Sequence, residues 1–233
     1  MKRGCTQDRH GRVLASLALP RFADHPFPRP LVVALEGPNG AGKTTLSRLL
    51  ADRFAAPACM GTDSDWLSDA FKVRMIRDAE WFSAAMFFFS GCCEQMRVLR
   101  GAAHPLVIMD RSLWSTLAVH GGEDAQRLGR LLDMLRPVAG QIQVPDLTLV
   151  LETSFATCQS RIARKSGVAR LLDEATATAE FHAHEQEFYR WLSRQRPEVR
   201  LLDANEAGPE ELAKQAAALI SEKSGAPRQV SAC

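Results

Sequence analysis

The sequence predicts an α/β fold, a three-layer sandwich in which helices cover both faces of a parallel sheet. Short and almost wholly apolar runs recur along the chain, and stretches with apolar residues at helical spacing separate them. A run that is apolar at every position is typical of a strand buried on both faces of a parallel sheet. Strands that alternate with helices favour parallel pairing, because each parallel connection needs a crossover.

The first strand is predicted at Leu31–Leu35, an apolar run that lies between Pro30 and Gly37. A helix over Lys43–Phe54 follows it, with leucines at helical spacing. The other predicted strands are 106–109, 147–151, 199–202 and a short segment near 58–60, and helical patterns occupy 128–135, 155–162 and 212–220. These elements place one domain over residues 31–223.

Both ends of the chain are expected to lie outside this domain. Residues 1–30 end in the proline-rich segment Pro26–Pro30, which is typical of a flexible arm. Residues 224–233 are predicted to be a disordered tail. No apolar run approaches the ~20 residues that cross a bilayer, so no membrane association is expected.

The net charge and the cysteine content indicate which classes of partner and which cellular compartment to expect. A net charge of +2 does not favour binding to a nucleic-acid polymer. The spacing of the six cysteines fits neither a zinc site nor a disulfide framework. A small-molecule partner and a reducing, cytoplasmic location are therefore expected.

The segment between the first strand and the first helix reads Gly37-Pro-Asn-Gly-Ala-Gly-Lys-Thr44 and matches the P-loop pattern. Its glycines let the backbone turn sharply, so that N–H groups point at phosphate oxygens, and the following helix adds the positive end of its dipole. Lys43 is predicted to bridge the β- and γ-phosphates of ATP, and Thr44 to offer its hydroxyl to Mg²⁺. The predicted nucleotide-binding residues are Gly37, Pro38, Asn39, Gly40, Ala41, Gly42, Lys43, Thr44 and Thr45.

Two residues at the end of a buried strand are further site candidates. Asp110 stands where a second carboxylate that organises Mg²⁺ is expected, and the two metal-linked residues are therefore Thr44 and Asp110. Arg111 follows at the carboxyl edge of the predicted sheet, where ligands bind in such folds. Its guanidinium could hold an anionic acceptor or a sugar hydroxyl.

A basic segment further along the chain is predicted to form a mobile lid, over about residues 161–173. Arg161, Arg164, Lys165 and Arg170 place four positive charges within ten residues, without an acidic residue among them. Phosphoryl transfer needs positive charge on the moving group, and the variable P-loop positions supply none. The predicted catalytic residues are Lys43, Arg111, Arg161, Arg164 and Arg170.

The ordered set of motifs resembles the thymidylate kinases and the wider P-loop nucleoside and nucleotide kinases. The similar segments are Leu35–Thr45, Asp110–Ala118, Pro145–Glu152, Leu201–Ala204 and Pro209–Leu212. The resemblance covers about residues 31–220 and implies the P-loop NTPase fold with a five-stranded parallel sheet. It also implies ATP and Mg²⁺ as cofactors, an acceptor monophosphate held by Arg111, catalytic arginines on the lid, and a homodimer formed by helix packing, for which Ala84–Phe89 could serve.

Several positions depart from the family pattern on the acceptor side. The segment Cys59–Asp63 replaces an Arg-Glu-Pro-Gly run, Cys92 and Cys93 lie where a base-reading arginine is expected, and Val119-His120 replaces Tyr-Gln. Asn39 stands where many members have an aspartate. The candidate substrate-binding residues are Glu36, Phe89, Arg111 and His120.

The sequence thus favours a nucleotide kinase that transfers the γ-phosphoryl group of ATP to a nucleoside monophosphate, most simply dTMP or a related pyrimidine deoxynucleotide. The alternative is a deoxynucleoside or other small-molecule hydroxyl kinase. The resemblance of Asp110-Arg-Ser112 to deoxynucleoside kinases implies that Glu36 would then act as the base. A third hypothesis is a non-enzymatic, nucleotide-dependent switch. It lacks support, because the sequence contains no guanine-binding motif.

Overall fold

A computed structural model describes residues 3–23, 30–60, 69–99, 101–122, 124–167, 173–174 and 177–225. Five parallel strands form one sheet in the order β2-β3-β1-β4-β5. The strands are β1 (Leu31–Glu36), β2 (Ala58–Met60), β3 (Leu106–Asp110), β4 (Leu147–Glu152) and β5 (Val199–Asp203). The α/β sandwich predicted from the sequence is confirmed.

The α-helices of the described ranges are α1 (Arg3–Ser16), α2 (Lys43–Phe54), α3 (Asp69–Arg77), α4 (Trp81–Leu99), α5 (Leu113–Gly121), α6 (Ala125–Leu135), α7 (Phe155–Ala163), α8 (Ala179–Gln195) and α9 (Pro209–Gly225). A 3₁₀ helix, Arg136–Gln141, continues α6. Within these ranges no helix is both long and apolar enough to cross a membrane.

The central strand β1 is buried along its whole length because helices cover it from both sides. Val33 and Leu35 belong to one apolar cluster that also holds side chains of α2 and α9. Val32 and Ala34 face the other side, in a cluster with residues of β3 and α4. This alternation is the period-two geometry of a strand, and an all-apolar sequence is what a strand buried on both faces requires.

The register of the strands brings their polar last residues to one edge of the sheet. Leu35 pairs with Asp110 of β3, and Glu36 pairs with Val150 of β4. The segment after β1 and the start of α2 lie at this carboxyl edge, the usual position of ligand crevices in parallel sheets.

The N-terminal segment departs from the predicted flexible arm, because residues 3–16 form α1 and part of the following segment is held against the domain. Leu14 is 1 % exposed, and Phe22 meets Trp114 of α5 edge-to-face at 5.5 Å between ring centroids. Ala23 donates a backbone hydrogen bond to Ile142. The N-terminal segment therefore contributes apolar side chains to the core. At the other end, α9 continues to Gly225, and residues 226–233 of the predicted tail lie outside the described residues.

Candidate active site

The segment between β1 and α2 forms a tight turn that only glycine accommodates at two positions. Gly37 has φ 124° and Gly40 has φ 82°, both in the region that side chains disfavour. A Cβ atom at Gly37 would lie 2.6 Å from the carbonyl oxygen of Leu151, and one at Gly40 would lie 2.6 Å from that of Cys158. The turn therefore sits directly against β4 and α7, with α2 starting at Lys43.

Lys43 folds back over this turn. Its Nζ donates to the carbonyl oxygens of Gly37, at 2.7 Å, and of Pro38, at 2.8 Å. Burial and the neighbouring charge of Arg111 lower the pKa of Lys43 to about 8, although Asp110 and Glu185 oppose this shift. A buried ammonium beside a glycine turn and a helix N-terminus is suited to bind phosphate, whose negative charge would raise the pKa of Lys43.

Thr44 and Asp110, the two residues predicted to bind Mg²⁺, are in direct contact. Thr44 Oγ1 donates a 2.6 Å hydrogen bond to Oδ2 of Asp110, while the buried Oδ1 has no hydrogen-bond partner within the described residues. A hydroxyl and a carboxylate with a spare oxygen are the donors that Mg²⁺ prefers. In the part of the chain that the structure describes, no group of three or more His, Cys, Asp or Glu side chains could hold a metal by itself. The pair therefore fits a magnesium ion that is shared with substrate phosphates and water.

Arg111 occupies a backbone conformation that is unusual for a residue with a side chain, with φ 73°. Its Nη1 donates to Oγ of Ser115 at 3.0 Å, and its Nη2 contacts Oδ1 of Asn39. Burial disfavours its charge, but Glu185 and other nearby acidic groups outweigh this effect and raise the pKa of Arg111. The guanidinium is thus aimed across the crevice at the turn after β1.

Glu36 is fully enclosed, with 0 % exposure. Ser112 donates to Oε1 through its backbone N–H at 2.8 Å and its hydroxyl at 2.6 Å. Oε2 accepts from the hydroxyls of Ser115 and Tyr189. Burial raises the pKa of Glu36, and these hydrogen bonds counteract the increase. Both carboxylate oxygens are therefore occupied by donors from α5 and α8.

Two residues of α8 reach the site and were not identified from the sequence. Tyr189 supplies one of the donors to Glu36, and Glu185, which is 4 % exposed, lies one helical turn earlier. Glu185, Phe188, Tyr189 and Leu192 are all buried and follow the spacing of one helix face. An acidic residue at a buried position of this face was the signal that could have revealed Glu185.

Two arginines of the predicted lid, Arg161 and Arg164, are placed differently. Arg161 binds the outside of the glycine turn, where Nη1 donates to the carbonyl oxygen of Ala41 at 2.9 Å. Its Nη2 lies 3.4 Å from the carbonyl oxygen of Ala204. Arg164 ends α7 and is exposed, whereas Arg170 lies outside the described residues. The structure thus joins Arg161 to the cradle and leaves Arg164 facing solvent.

On the acceptor side, His120 stacks on Phe88, with 5.7 Å between ring centroids and an interplanar angle of 18°. Burial lowers the pKa of His120 to about 4, so its ring is neutral near neutral pH. Phe89 instead packs against the apolar core beside α5 and α8. Cys92 is buried, and burial raises the pKa of its thiol to about 12. The departures at Cys92 and His120 thus lie among mostly apolar side chains, whereas residues 61–63 of the segment Cys59–Asp63 lie outside the described residues.

The fold and the phosphate cradle together define a P-loop phosphotransferase. The sequence profile of thymidylate kinase matches residues 35–216, so the chain belongs to the thymidylate kinase family. It is an ATP-dependent nucleotide or nucleoside kinase. No curated protein matches the sequence significantly.

Solved structures share the same fold. A thymidylate kinase from Candida albicans is similar with a TM-score of 0.63 and 18% identity, over 84% of this chain and 93% of that chain. A deoxyadenosine kinase from M. mycoides with bound dATP is similar with a TM-score of 0.64 and 17% identity, over 82% of this chain and 99% of that chain. At these identities the likeness establishes the fold and leaves the acceptor open.

Proposed function

We propose that the chain transfers the γ-phosphoryl group of ATP to a nucleoside monophosphate, with dTMP or a related pyrimidine deoxynucleotide as the acceptor. The observation that carries this proposal is the state of Glu36. Both of its oxygens accept hydrogen bonds and it is wholly buried, so it is poorly placed to take a proton from a hydroxyl. An acceptor phosphate needs no such base, because its oxygen is already ionised near neutral pH.

The proposed chemistry is an in-line displacement. An oxygen of the acceptor phosphate forms a bond to the γ-phosphorus, the bond from this phosphorus to the β–γ bridging oxygen breaks, and ADP leaves with that electron pair. Lys43 would leave the carbonyl oxygens of Gly37 and Pro38 and donate to the β- and γ-phosphates. Arg111 would hold the acceptor phosphate from the opposite side of the crevice.

Magnesium is proposed as the second cofactor, held by Thr44 and Asp110 together with phosphate oxygens and water. When bound, the ion neutralises charge that develops on the transferred group and on the leaving oxygen. The unpartnered Oδ1 of Asp110 is the support that the described residues offer for this assignment.

The lid arginines are proposed to complete the positive environment. Arg161 already contacts the carbonyl oxygens of the glycine turn, so a small rotation would carry its guanidinium toward the phosphates. Arg164, which is exposed, would approach on closure of the segment around residues 161–173, and Arg170 is proposed to act from the same segment. Their combined role is to stabilise charge in the transition state.

The alternative acceptor is a nucleoside hydroxyl, for which Glu36 would have to act as base. This role requires Glu36 to exchange a hydrogen bond from Ser115 or Tyr189 for one from the substrate. The exchange is unfavourable, because it leaves the buried hydroxyl of Ser115 or Tyr189 without its acceptor. The structural likeness to deoxyadenosine kinases is the reason that this alternative is tested beside the first.

The decisive experiment is a turnover assay with ATP and Mg²⁺ against matched pairs of nucleosides and their 5′-monophosphates. We expect phosphorylation of monophosphates, with a pyrimidine deoxynucleotide as the best acceptor, and little turnover of the corresponding nucleosides. Turnover of nucleosides alone would contradict the proposal and favour the hydroxyl kinase.

A homodimer formed through α4 and a cytoplasmic location are further parts of the proposal. Ala84 and Ala85 are buried within the chain, so the proposed contact uses Phe82 of α4 and Phe71 of α3, two exposed aromatic side chains that are 42 % and 43 % exposed. Light scattering during gel filtration should give the mass of a dimer, and Phe82→Glu should shift it to that of a monomer. Among the described residues, Cys92, Cys93 and Cys158 are free thiols, which supports a reducing compartment.

A further inference from the structure

Glu185 lies at the centre of the charge arrangement around the cradle, although no step of the proposed transfer uses it. It projects from the face of α8 that carries Tyr189, which reaches Glu36 and approaches Ser115 at 3.5 Å. Residues four positions apart lie on the same side of a helix. Glu185 therefore stands one turn from the hydrogen bonds that fix α8 to the end of β1.

The charged groups that face Glu185 come from several elements. Lys43 of α2 and Arg111 after β3 act on it as cations, and Glu36 of β1 acts as a like charge. Tyr189 of α8 and Cys158 of α7 are affected by its charge in turn. Within the described part of the chain, no hydrogen bond to the Glu185 carboxyl is present. The negative charge of Glu185 is therefore balanced by Arg111 and Lys43, the two cations that are proposed to bind phosphate.

A buried carboxylate is costly unless a cation balances it, and two buried cations without an anion are costly in the same way. Without a nucleotide, Glu185 supplies the negative charge that Arg111 and Lys43 need, and these two cations balance the charge of Glu185. When phosphate groups take up Arg111 and Lys43, this balance is lost, since a second anion then shares the same two cations. Burial raises the pKa of Glu185, while the charges of Arg111 and Lys43 lower it, so the loss of their support favours proton uptake.

We propose that Glu185 is an internal counter-anion of the phosphate site, which competes with phosphate groups for Arg111 and Lys43 and takes up a proton when they bind. This inference rests on the phosphate-binding role of the cradle in the proposed function. It makes Glu185 a positioning residue, because it acts on the two cations and not on the reacting atoms. Its effect is to weaken the binding of anions and to keep the empty site assembled.

The test uses sulfate, a dianion whose own charge does not change near neutral pH, and needs no turnover. Sulfate dissociation constants are measured by tryptophan fluorescence at constant ionic strength, from about pH 6 to about pH 9 to span the neutral range. The proteins are the wild type, Glu185→Gln, and Glu180→Gln as the matched control, because Glu180 is exposed on the first turn of the same helix. Lys43→Ala reports whether sulfate binds at the cradle.

Near neutral pH, where Lys43 is still charged, we expect Glu185→Gln to bind sulfate about tenfold more tightly than the wild type, because one negative charge close to the bound dianion is removed. The ratio should decrease as the pH falls, because burial favours protonation of Glu185, and protonation removes the same charge from the wild type. The ratio should also decrease toward alkaline pH, because Glu185 raises the pKa of Lys43 and its loss lets Lys43 lose its charge at a lower pH. Glu180→Gln should follow the wild type.

Equal or weaker sulfate binding in Glu185→Gln over the whole range, with binding lost in Lys43→Ala, would overturn the inference and leave the phosphate site intact. Sulfate binding that Lys43→Ala does not weaken would overturn both the inference and the cradle assignment. If Glu185→Gln unfolds in chloride, saturating sulfate should restore its thermal transition, because the dianion replaces the missing charge. A variant that stays unfolded in sulfate would also count against the inference.

Discussion

The hydroxyl of Tyr189 donates a 2.9 Å hydrogen bond to Oε2 of Glu36, which joins helix α8 to the last residue of β1. Tyr189 is the only tyrosine in the chain, and both groups are buried. Because the carboxylate also holds the start of α5 through Ser112, this contact fixes three elements around the cradle. Glu36 is therefore positioned to act as a structural anchor.

Replacing Glu36 with glutamine should separate the structural role from that of a base. We expect Glu36→Gln to keep kcat for a monophosphate within about tenfold of wild type, whereas removal of a working base typically costs ~10²–10⁴-fold. The thermal midpoint should fall, because the amide places a donor opposite the donors of Ser115 and Tyr189. Tyr189→Phe, which removes one hydrogen bond and keeps the carboxylate, is the control. A thousandfold loss of kcat, together with turnover of nucleosides only, would support the hydroxyl kinase instead.

Replacing Arg111 with alanine should affect the acceptor and not ATP. We expect the KM for the acceptor to rise by about tenfold or more, as for the loss of a charge-assisted contact to phosphate. The ATP dissociation constant should change little. Asn39→Ala, which removes the partner of Arg111 on the turn, should have a smaller effect on the acceptor KM. A collapse of ATP affinity in Arg111→Ala would place this guanidinium on the donor side.

The lid proposal predicts a kinetic effect from at least one arginine of the set Arg161, Arg164 and Arg170. Substitution by alanine should lower kcat by about tenfold or more, which corresponds to about 1.4 kcal/mol of transition-state stabilisation. Equal losses in kcat and kcat/KM would mark a contact made in the transition state. Arg161 and Arg164 form a useful pair, because only Arg161 contacts the glycine turn within the described residues. Three substitutions without kinetic effect would exclude the lid.

The contact between α1 and α8 should weaken as the pH falls. The rings of His10 and His184 lie 4.7 Å apart, and Nε2 of His10 is 3.9 Å from Glu187. Burial, and then the charge of His184, lower the pKa of His10 below its ordinary value, although Glu187 and Asp124, the N-cap of α6, oppose the shift. The unfolded state therefore binds the proton first, and the free energy of unfolding decreases as the pH falls from about 6.5.

Hydrogen exchange of the α1 amides can measure this effect at about pH 7.5 and about pH 5.5, on either side of the ordinary histidine pKa. We expect protection of α1, after correction for intrinsic rates, to drop at the lower pH in the wild type. His10→Gln should show a smaller change, which separates His10 from other groups that titrate in this range. Equal pH dependence in both proteins would show that His10 does not control the contact.

The parts of the molecule that the sequence predicted are those with local signals. β1, the glycine turn and the start of α2 follow from adjacent residues whose type alone dictates strand, turn and helix. Asp110 and Arg111 could be placed because the end of a buried strand defines one edge of the sheet.

The parts that were missed depend on contacts between distant segments. Glu185 lies far from Lys43 in sequence; its spacing from Phe188, Tyr189 and Leu192 places it on the buried face of α8, but this pattern does not indicate that the face meets the cradle. Helix α1 carries charged residues around Leu14, so its helix depends on tertiary packing more than on its own pattern. On α4, a shift of one residue rotates a side chain by about 100°, which is why Phe88 and not Phe89 meets His120.

His184 and Glu185 are neighbours in the chain, yet His184 meets α1 while Glu185 faces the phosphate cradle. Helix α8 thus packs against α1 through His184 and carries Glu185 toward the phosphate cradle. A displacement of this helix would therefore change both sets of contacts. Removal of α1 would consequently take away packing from the same helix that carries Glu185 and Tyr189.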